Sequence, residues 1–389
     1  MIEAHPNKKL IRITTVPMAL RYLLPGQMKF MVSQGFDVLM ISADGKELPE
    51  VLEREQCRHI IVPMTRKITP LQDLKCLLHL IKIFRKEKPA IVHTHTPKAG
   101  LLGMLAAKLC AVKCRVHTVA GLPLMVEKGS RYRLLKFIEK VTYAAATQVW
   151  PNSNSLMVFI TQQKLCNPSK LTIIGKGSTN GVNTQRYNIQ ALDTGLMKEV
   201  MEGINYSNEN KYLLCIGRLV ADKGITELVN VFTQLEKDND GLVLILVGEY
   251  EDALDPLPAA TLQEIKINPS IIHINWTNKV EYYLHLAQLF IFPSHREGFP
   301  NVLLQAGAMQ LPIICSRIPG NVDIVTDKKT GLIFDCGNQK QLLQKILYAL
   351  EHPMQVHKMA QHLHVEITEN YQQEKIWKNI LGVYKNQLI

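Results

Sequence analysis

Short apolar runs alternate with amphipathic ones along almost the whole chain. Residues 10–16, 36–42, 59–63, 89–94, 114–118 and 147–151 read as buried strands in the first half. Residues 211–216, 242–247, 271–275, 288–292, 312–315 and 331–334 do so in the second. Between them apolar residues recur at helical spacing. Leu71, Leu74, Leu77, Leu78 and Ile81 precede Lys88-Pro89, and Leu134, Leu135, Ile138 and Val141 follow Ser130. This rhythm predicts parallel, doubly wound α/β sheets. It pauses between Tyr187 and Lys211, a stretch rich in Asn, Asp, Gly and Glu, and a domain boundary is expected there. The end of the chain reads as two helical stretches, of which Glu374 to Gln387 is expected to pack back across the first domain. The expected division is therefore 1–190, 191–370 and a returning helix at 371–389.

Length and charge sharpen this outline. A chain of 389 residues exceeds the ~250–300 that one core usually serves. Its 47% hydrophobic and 20% charged residues are a globular mix. The net charge of +11 is uneven: residues 1–190 hold 28 Lys and Arg against 11 Asp and Glu, and residues 191–389 hold 17 against 23. The basic half is expected to meet an anion: nucleic acid, a membrane surface or a phosphorylated substrate. Nucleic acid lacks support, because no RNP-like stretch or zinc-finger spacing is present. No apolar run approaches the ~18–20 residues of a membrane span. The polar start, Met1 to Leu10, is unlike a secretion signal. Eight cysteines without a Cys-x-x-Cys pair read as reduced packing residues of a cytoplasmic protein.

In open parallel sheets ligands sit at the carboxyl ends of strands, so motifs there carry the most weight. One is Gly217-Arg218 followed by Ala221-Asp-Lys223-Gly224 and a helix. Arg218 offers a fork of donors and Lys223 a mobile cation beside a helix start, which suits a diphosphate. Another is Pro293-Ser294-His295-Arg296-Glu297-Gly298-Phe299-Pro300-Asn301, again leading into a helix. Glu297 can accept from sugar hydroxyls, or complement the helix dipole as an ordinary N-terminal carboxylate. Gln305 lies about two turns further on, roughly on the same face.

These segments, with Val247-Gly248, Pro312-Ile-Ile, Pro319-Gly320 and Thr330-Gly331-Leu332, resemble retaining glycosyltransferases of the GT-B fold. The likeness covers nearly all of residues 10–389, and Glu297-Gly-Phe-Pro is its most specific part. Val92-His93-Thr94-His95-Thr96-Pro97-Lys98-Ala99-Gly100, His117-Thr118-Val119-Ala120-Gly121, Gly177-Ser178-Thr179-Asn180-Gly181-Val182 and Leu254-Asp255-Pro-Leu-Pro258 narrow it. They are similar to bacterial enzymes that extend undecaprenyl-diphosphate-linked sugars, closest to N-acetylgalactosaminyltransferases of capsule, O-antigen and glycoprotein-glycan assembly.

The resemblance implies two facing Rossmann-like domains with an interdomain cleft and no cofactor or metal, the UDP-sugar being a substrate. Arg218 and Lys223 would neutralise the leaving diphosphate. Glu297 would bind donor-sugar hydroxyls, and Gly298, Phe299 and Pro300 would hold sugar and phosphate. Gly217, Asn180, Trp276, Asn301 and Gln305 complete the implied donor set. His117 would meet the donor sugar from the first domain. Gly26, His93, His95, Lys98 and Arg131 form the implied acceptor set. Partners would be a UDP-sugar, a lipid-linked saccharide and the anionic inner face of the plasma membrane, where the enzyme would sit peripherally. Two departures stand out. Gln305 replaces the second carboxylate of the family's Glu-x7-Glu and lacks its charge-assisted strength. Leu23-Leu-Pro-Gly26-Gln27 replaces a Gly-Gly loop.

Other features have plainer or competing readings. Asp238-Asn239-Asp240 precedes a strand, at the wrong edge for a ligand, and reads as a turn. His93 and His95 share one strand face, as a structural pair or, with Lys98 at a helix start, as a diphosphate site. Lys128, Arg131, Arg133, Lys136 and Lys140 interleave with Leu134, Leu135, Phe137, Ile138 and Tyr143 as a solvated helix or a lipid-facing one, and Met64 to Lys88 is a second such candidate. The expected activity is metal-independent retaining transfer of N-acetylgalactosamine or another hexose. A UDP-sugar 2-epimerase and an inactive partner subunit of a capsule complex are the alternatives.

Overall fold

The computed structural model describes residues 8–125, 127–251 and 255–388. Met1 to Asn7 and Leu254, singled out above, lie outside them. The chain forms two compact units, one running to Asn180 and resuming at Glu374, the other comprising Gly181–Gln373. The passage between units falls ahead of the polar stretch expected to separate them. That stretch holds a helix, Thr194–Gly203, started by Asp193, whose Oδ1 accepts from Leu196 N at 2.8 Å. Val200 and Ile204 join the second unit's core. A single apolar stripe on an otherwise polar helix reads as a linker when no strand accompanies it.

Unit 1 contains β1 (Lys9–Ile13), β2 (Asp37–Ser42), β3 (Arg58–Ile61), β4 (Ile91–Thr94), β5 (Cys114–Val119) and β6 (Gln148–Pro151). Unit 2 contains β7 (Lys211–Ile216), β8 (Leu242–Val247), β9 (Ile271–Ile274), β10 (Leu289–Phe292), β11 (Ile313–Ser316) and β12 (Leu332–Phe334). Their orders are β3-β2-β1-β4-β5-β6 and β12-β11-β10-β7-β8-β9, with parallel pairing throughout. Counted from each unit's first strand, both are the 3-2-1-4-5-6 order of dinucleotide-binding sheets. The strand order reverses between β1 and β4 in one unit and between β7 and β10 in the other.

Both faces of each sheet are covered, which is why the strands are apolar runs instead of alternating ones. In unit 1, Ile11, Ile13, Leu39 and Val92 pack under the helices Pro70–Glu87 and Pro97–Leu109 through Leu80, Phe84 and Leu102. On the opposite face Leu10, Met40, Ile91 and Val116 meet Leu20, Met28 and Met31. The last helix, Gln373–Leu388, adds Ile376, Ile380 and Tyr384 to that same layer. In unit 2, Val182 N donates to Tyr371 O at 2.8 Å and Gln373 N to Val182 O at 3.1 Å. The two passages of the chain are thus laced together where they enter it. Asp238 and Asp240 lie before β8, at the sheet's amino edge. Among the described residues no helix is long and apolar enough to cross a membrane.

Candidate active site

The carboxyl edge of the second sheet gathers most of the expected donor residues. After β7 the chain turns through Gly217-Arg218 into the short turn Ala221–Lys223. Asp255 fixes this turn by accepting from Asp222 N at 2.7 Å. After β10 it runs through Pro293–Pro300 into the helix Asn301–Ala308. Lys223 Nζ and Glu297 Oε1 form an ion pair between these two loops, across the point where strand order reverses. Ser294 Oγ donates to the same carboxylate oxygen at 3.0 Å. The neighbouring Asp222 and Arg296 make a second link, 2.8 Å.

Two glycines let the loops close on each other. Gly224 has φ +68°, and a Cβ there would overlap the carbonyl oxygen of Pro293. Gly320 has φ +88°, and a Cβ there would stand 2.6 Å from the oxygen of Gly298. Only glycine meets both demands at each place. Ser316 Oγ, at the end of β11, donates to Ser294 O, and Asn321 Nδ2 holds Ser316 O at 3.0 Å. Phe299 is buried against Tyr371, ring centroids 5.5 Å apart, which anchors the Gly298–Pro300 turn to the core. Pro300 and Asn301 open the helix that carries the half-buried Gln305.

Arg218 and Trp276 complete this edge. The Arg218 guanidinium, half-exposed, pairs with Glu251. That partner was not anticipated, since the two are 33 positions apart. Trp276 follows β9 and is exposed. The arrangement offers two cations already held by carboxylates, a carboxylate with hydroxyl support and a helix start. It can exchange those carboxylates for phosphoryl oxygens and sugar hydroxyls.

The remaining expected residues belong to unit 1, and several are committed elsewhere. Asn180, expected on the donor, is buried: its Oδ1 accepts from Gln27 Nε2 at 2.9 Å and Trp377 Nε1 at 2.6 Å, and its Nδ2 donates to Pro25 O at 3.0 Å. It is a joint within unit 1. Gly26 N, expected toward the acceptor, donates to Glu55 Oε1 at 2.7 Å, while Met28 N and Lys29 N bind Glu55 Oε2. A fully buried carboxylate thus occupies that loop's amides. Lys98 is likewise engaged, with Asp73 Oδ1 at 2.7 Å, Thr65, Thr69 and the Lys67 carbonyl. An ammonium has three donors, so these exhaust it. Arg131 is exposed and faces Glu127 at 3.1 Å. His93 and His95 are buried, stacked with centroids 4.1 Å apart.

His117 lies on β5 and is 2% exposed. Its Nδ1 meets Thr94 Oγ1 at 2.8 Å, and burial pushes its pKa down to about 4. It is therefore a neutral imidazole at neutral pH. Gly100 has no side chain because a Cβ there would collide with the ring.

Comparison with known proteins agrees with this geometry. Residues 197–364 match the family described as glycosyl transferases group 1, and residues 15–153 match glycosyl transferase 4-like. The chain is 32% identical over 384 residues to the capsular polysaccharide biosynthesis glycosyltransferase CapM of Staphylococcus aureus, covering 98% of each. It is 26% identical to the UDP-Gal:alpha-D-GlcNAc-diphosphoundecaprenol alpha-1,3-galactosyltransferase of Escherichia coli, over 86% of each. A glycosyltransferase from Rickettsia africae ESF-5 superposes with a TM-score of 0.80 at 19% identity, covering 99% of both chains. Anabaena Alr3699/HepE, solved with UDP and glucose, gives 0.80 at 15% identity over 98% of this chain and 100% of that one. The architecture is GT-B, and the chain belongs to the glycosyl transferases group 1 family.

Proposed function

We propose that this glycosyltransferase moves N-acetylgalactosamine, with retention, from UDP-N-acetylgalactosamine to an undecaprenyl-diphosphate-linked saccharide in capsule or related polysaccharide assembly. The observation that carries the donor half is the Lys223–Glu297 pair at the strand-order reversal of unit 2. Lys223 and Arg218 meet the diphosphate as charge accumulates on it, and Glu297 receives hydroxyls of the sugar. The acceptor hydroxyl attacks the anomeric carbon on the face from which UDP departs. Its proton passes to a phosphate oxygen of the leaving group, so no protein nucleophile and no metal is needed. The substrates in the relatives' names, a UDP-sugar and undecaprenyl-diphosphate saccharides, support the choice of partners.

A membrane-facing role for unit 1 is supported by its surface. Leu71, Leu74 and Leu78 are exposed along the helix Pro70–Glu87, as are Leu134 and Phe137 on Gly129–Ala145. Lysines and arginines flank both stripes, the pattern of a helix resting on anionic lipid. Tyr143, grouped with that stripe in the sequence, faces the core instead.

The test is a panel of UDP-sugars with the purified full chain, with and without polyprenyl-diphosphate-linked saccharide, read by mass spectrometry and by NMR of the new linkage. Transfer from UDP-N-acetylgalactosamine with retained configuration, persisting in EDTA, is expected. An epimerised sugar formed without acceptor would replace this reading with an epimerase. UDP binding without turnover on any lipid acceptor would make the chain a non-catalytic partner. Salt-sensitive binding to anionic liposomes, weakened by Leu74→Ser with Leu78→Ser, checks the membrane role.

A further inference from the structure

The hydrogen bonds in the loop after β10 do not stop at the Lys223–Glu297 pair. Ser294 is fully buried and has one hydroxyl proton with three acceptors in reach. These are Glu297 Oε1 at 3.0 Å, Arg296 O at 3.2 Å and Asp222 O at 3.4 Å. The nearest is also the charged one, and a hydrogen bond to a carboxylate is the stronger. The proton therefore lies toward Glu297. Lys223 Nζ meets the same oxygen. Both donors converge on Oε1, and among the described residues no hydrogen bond reaches Oε2. The two oxygens of one carboxylate are thus divided. One is anchored, and the other keeps its lone pairs open on a side chain that is 15% exposed.

Ser294 is held from behind in turn. Its carbonyl oxygen accepts from Ser316 Oγ, at the end of β11. Having given its proton there, Ser316 Oγ can only accept. Asn321 Nδ2 donates to it at 3.1 Å and to Ser316 O at 3.0 Å. A carbonyl never donates, so Ser316 O sets the orientation of the Asn321 amide and with it the direction of every bond in the series. Ser316 and Asn321 are fully buried, and Asn321 Oδ1 has no partner among the described residues. A buried acceptor left unpaired lowers stability, so stability alone does not account for this amide.

Lys223 is the less lasting of the two anchors, since in the proposed reaction it turns to the departing diphosphate. The Ser294 hydroxyl is then what still holds Oε1. We propose that Ser294 is the positioning residue for Glu297, aimed by Ser316 and Asn321, and that it keeps Oε2 turned to a hydroxyl of the donor sugar while Lys223 serves the phosphate. This role rests on the donor site proposed above and explains how its carboxylate stays in place when its cation leaves.

Steady-state transfer from UDP-N-acetylgalactosamine by the full chain, with UDP affinity measured by calorimetry, tests it. Ser294→Ala should lower kcat about tenfold, the effect of losing one hydrogen bond to a charged group. Affinity for UDP, which lacks the sugar, should stay within about twofold of the parent. Ser294→Cys keeps the volume and a weak donor and should recover part of the loss. If the alanine variant fails to fold, the cysteine variant carries the test: lowered kcat with UDP affinity kept supports the role, and parental kcat refutes it. Ser316→Ala alone should lower kcat by about threefold, and beside Ser294→Ala by nothing further, because it acts through that hydroxyl. The role is overturned by parental kcat in Ser294→Ala beside a disabled Glu297→Gln, by UDP affinity falling in step with kcat, or by additive losses from the two serines. Parental kcat in Glu297→Gln, or no transfer by the parent chain, would sink the donor reading and this role with it.

Discussion

At the reversal between β7 and β10 unit 2 places a partly exposed ion pair, Lys223 with Glu297. At the matching reversal between β1 and β4 unit 1 places Arg12 with two buried, neutral histidines, His93 and His95. The strand order is the same and the chemistry is opposite. A salt link at a loop mouth can trade its partners for those of a ligand with little rearrangement. A buried polar network is held by partners 25 to 291 positions away, and its protonation is tied to the stability of the whole layer. Topology thus nominates the place for chemistry, and depth decides whether charges are exchanged there or stored.

The sharpest way to break this contrast is Glu297→Gln. It keeps the shape and removes the charge, and transfer should fall by about 10²–10³-fold, the cost typical of losing one electrostatic stabiliser. Near-normal turnover, with circular dichroism unchanged, would remove Glu297 from the site.

Acid should separate the units next. His117 falls from an ordinary 6.5 to about 4 in the folded chain, and His59 does likewise. A depressed folded pKa means the unfolded chain binds more protons below about 6.5. The corresponding stability is therefore complete above pH 6.5 and is lost as pH falls through 4, roughly 3 kcal/mol for His117 alone. Glu139 has the opposite sign: burial raises it to about 7, so its contribution is complete below 4.5 and lost as pH rises through 7. Unit 1 should melt first in calorimetry below pH 6, and a first transition mapped by proteolysis to residues 181–373 would contradict this.

Gly224→Ala is a smaller but more local perturbation. Its positive φ and its overlap with Pro293 O predict a loss of about 1–3 kcal/mol. That is a melting shift of roughly 2–4 °C per kcal/mol, read by thermal denaturation. The change should also lower turnover by parting Lys223 from Glu297. The mildest expected change is Gln305→Glu, which restores charge at the helix that opens with Asn301. It should tighten UDP by a factor of about 3–10 in calorimetry, near the added strength of one charge-assisted bond. Weaker binding would mean that residue 305 does not face the nucleotide.

Most strands among the described residues were legible because burial on both faces writes them as largely apolar runs. The loops at the carboxyl edge of the second sheet were legible because glycine, proline and charge cluster within a few positions of one another. Three things were hidden. The helix Thr194–Gly203 shows one narrow apolar stripe in a polar stretch. The Arg12 cluster is one charged letter inside a strand, and its partners are chosen across the sheet. Asn180 looked like part of a ligand-binding motif, yet its hydrogen bond to Trp377 spans 197 positions that no local pattern reports.

The return of the chain to unit 1 also sets an order of assembly. Residues 374–388 leave the ribosome after all of unit 2, so unit 2 can complete its core while unit 1 still lacks Ile376, Ile380 and Tyr384. Until then the layer containing Leu10, Met28 and Trp150 is uncovered, and His93 has no tyrosine hydroxyl at Nδ1. The segment begun first is finished last. A nascent chain halted near residue 373 would present a closed second unit and an open first one, the form that a chaperone would hold and a protease would cut.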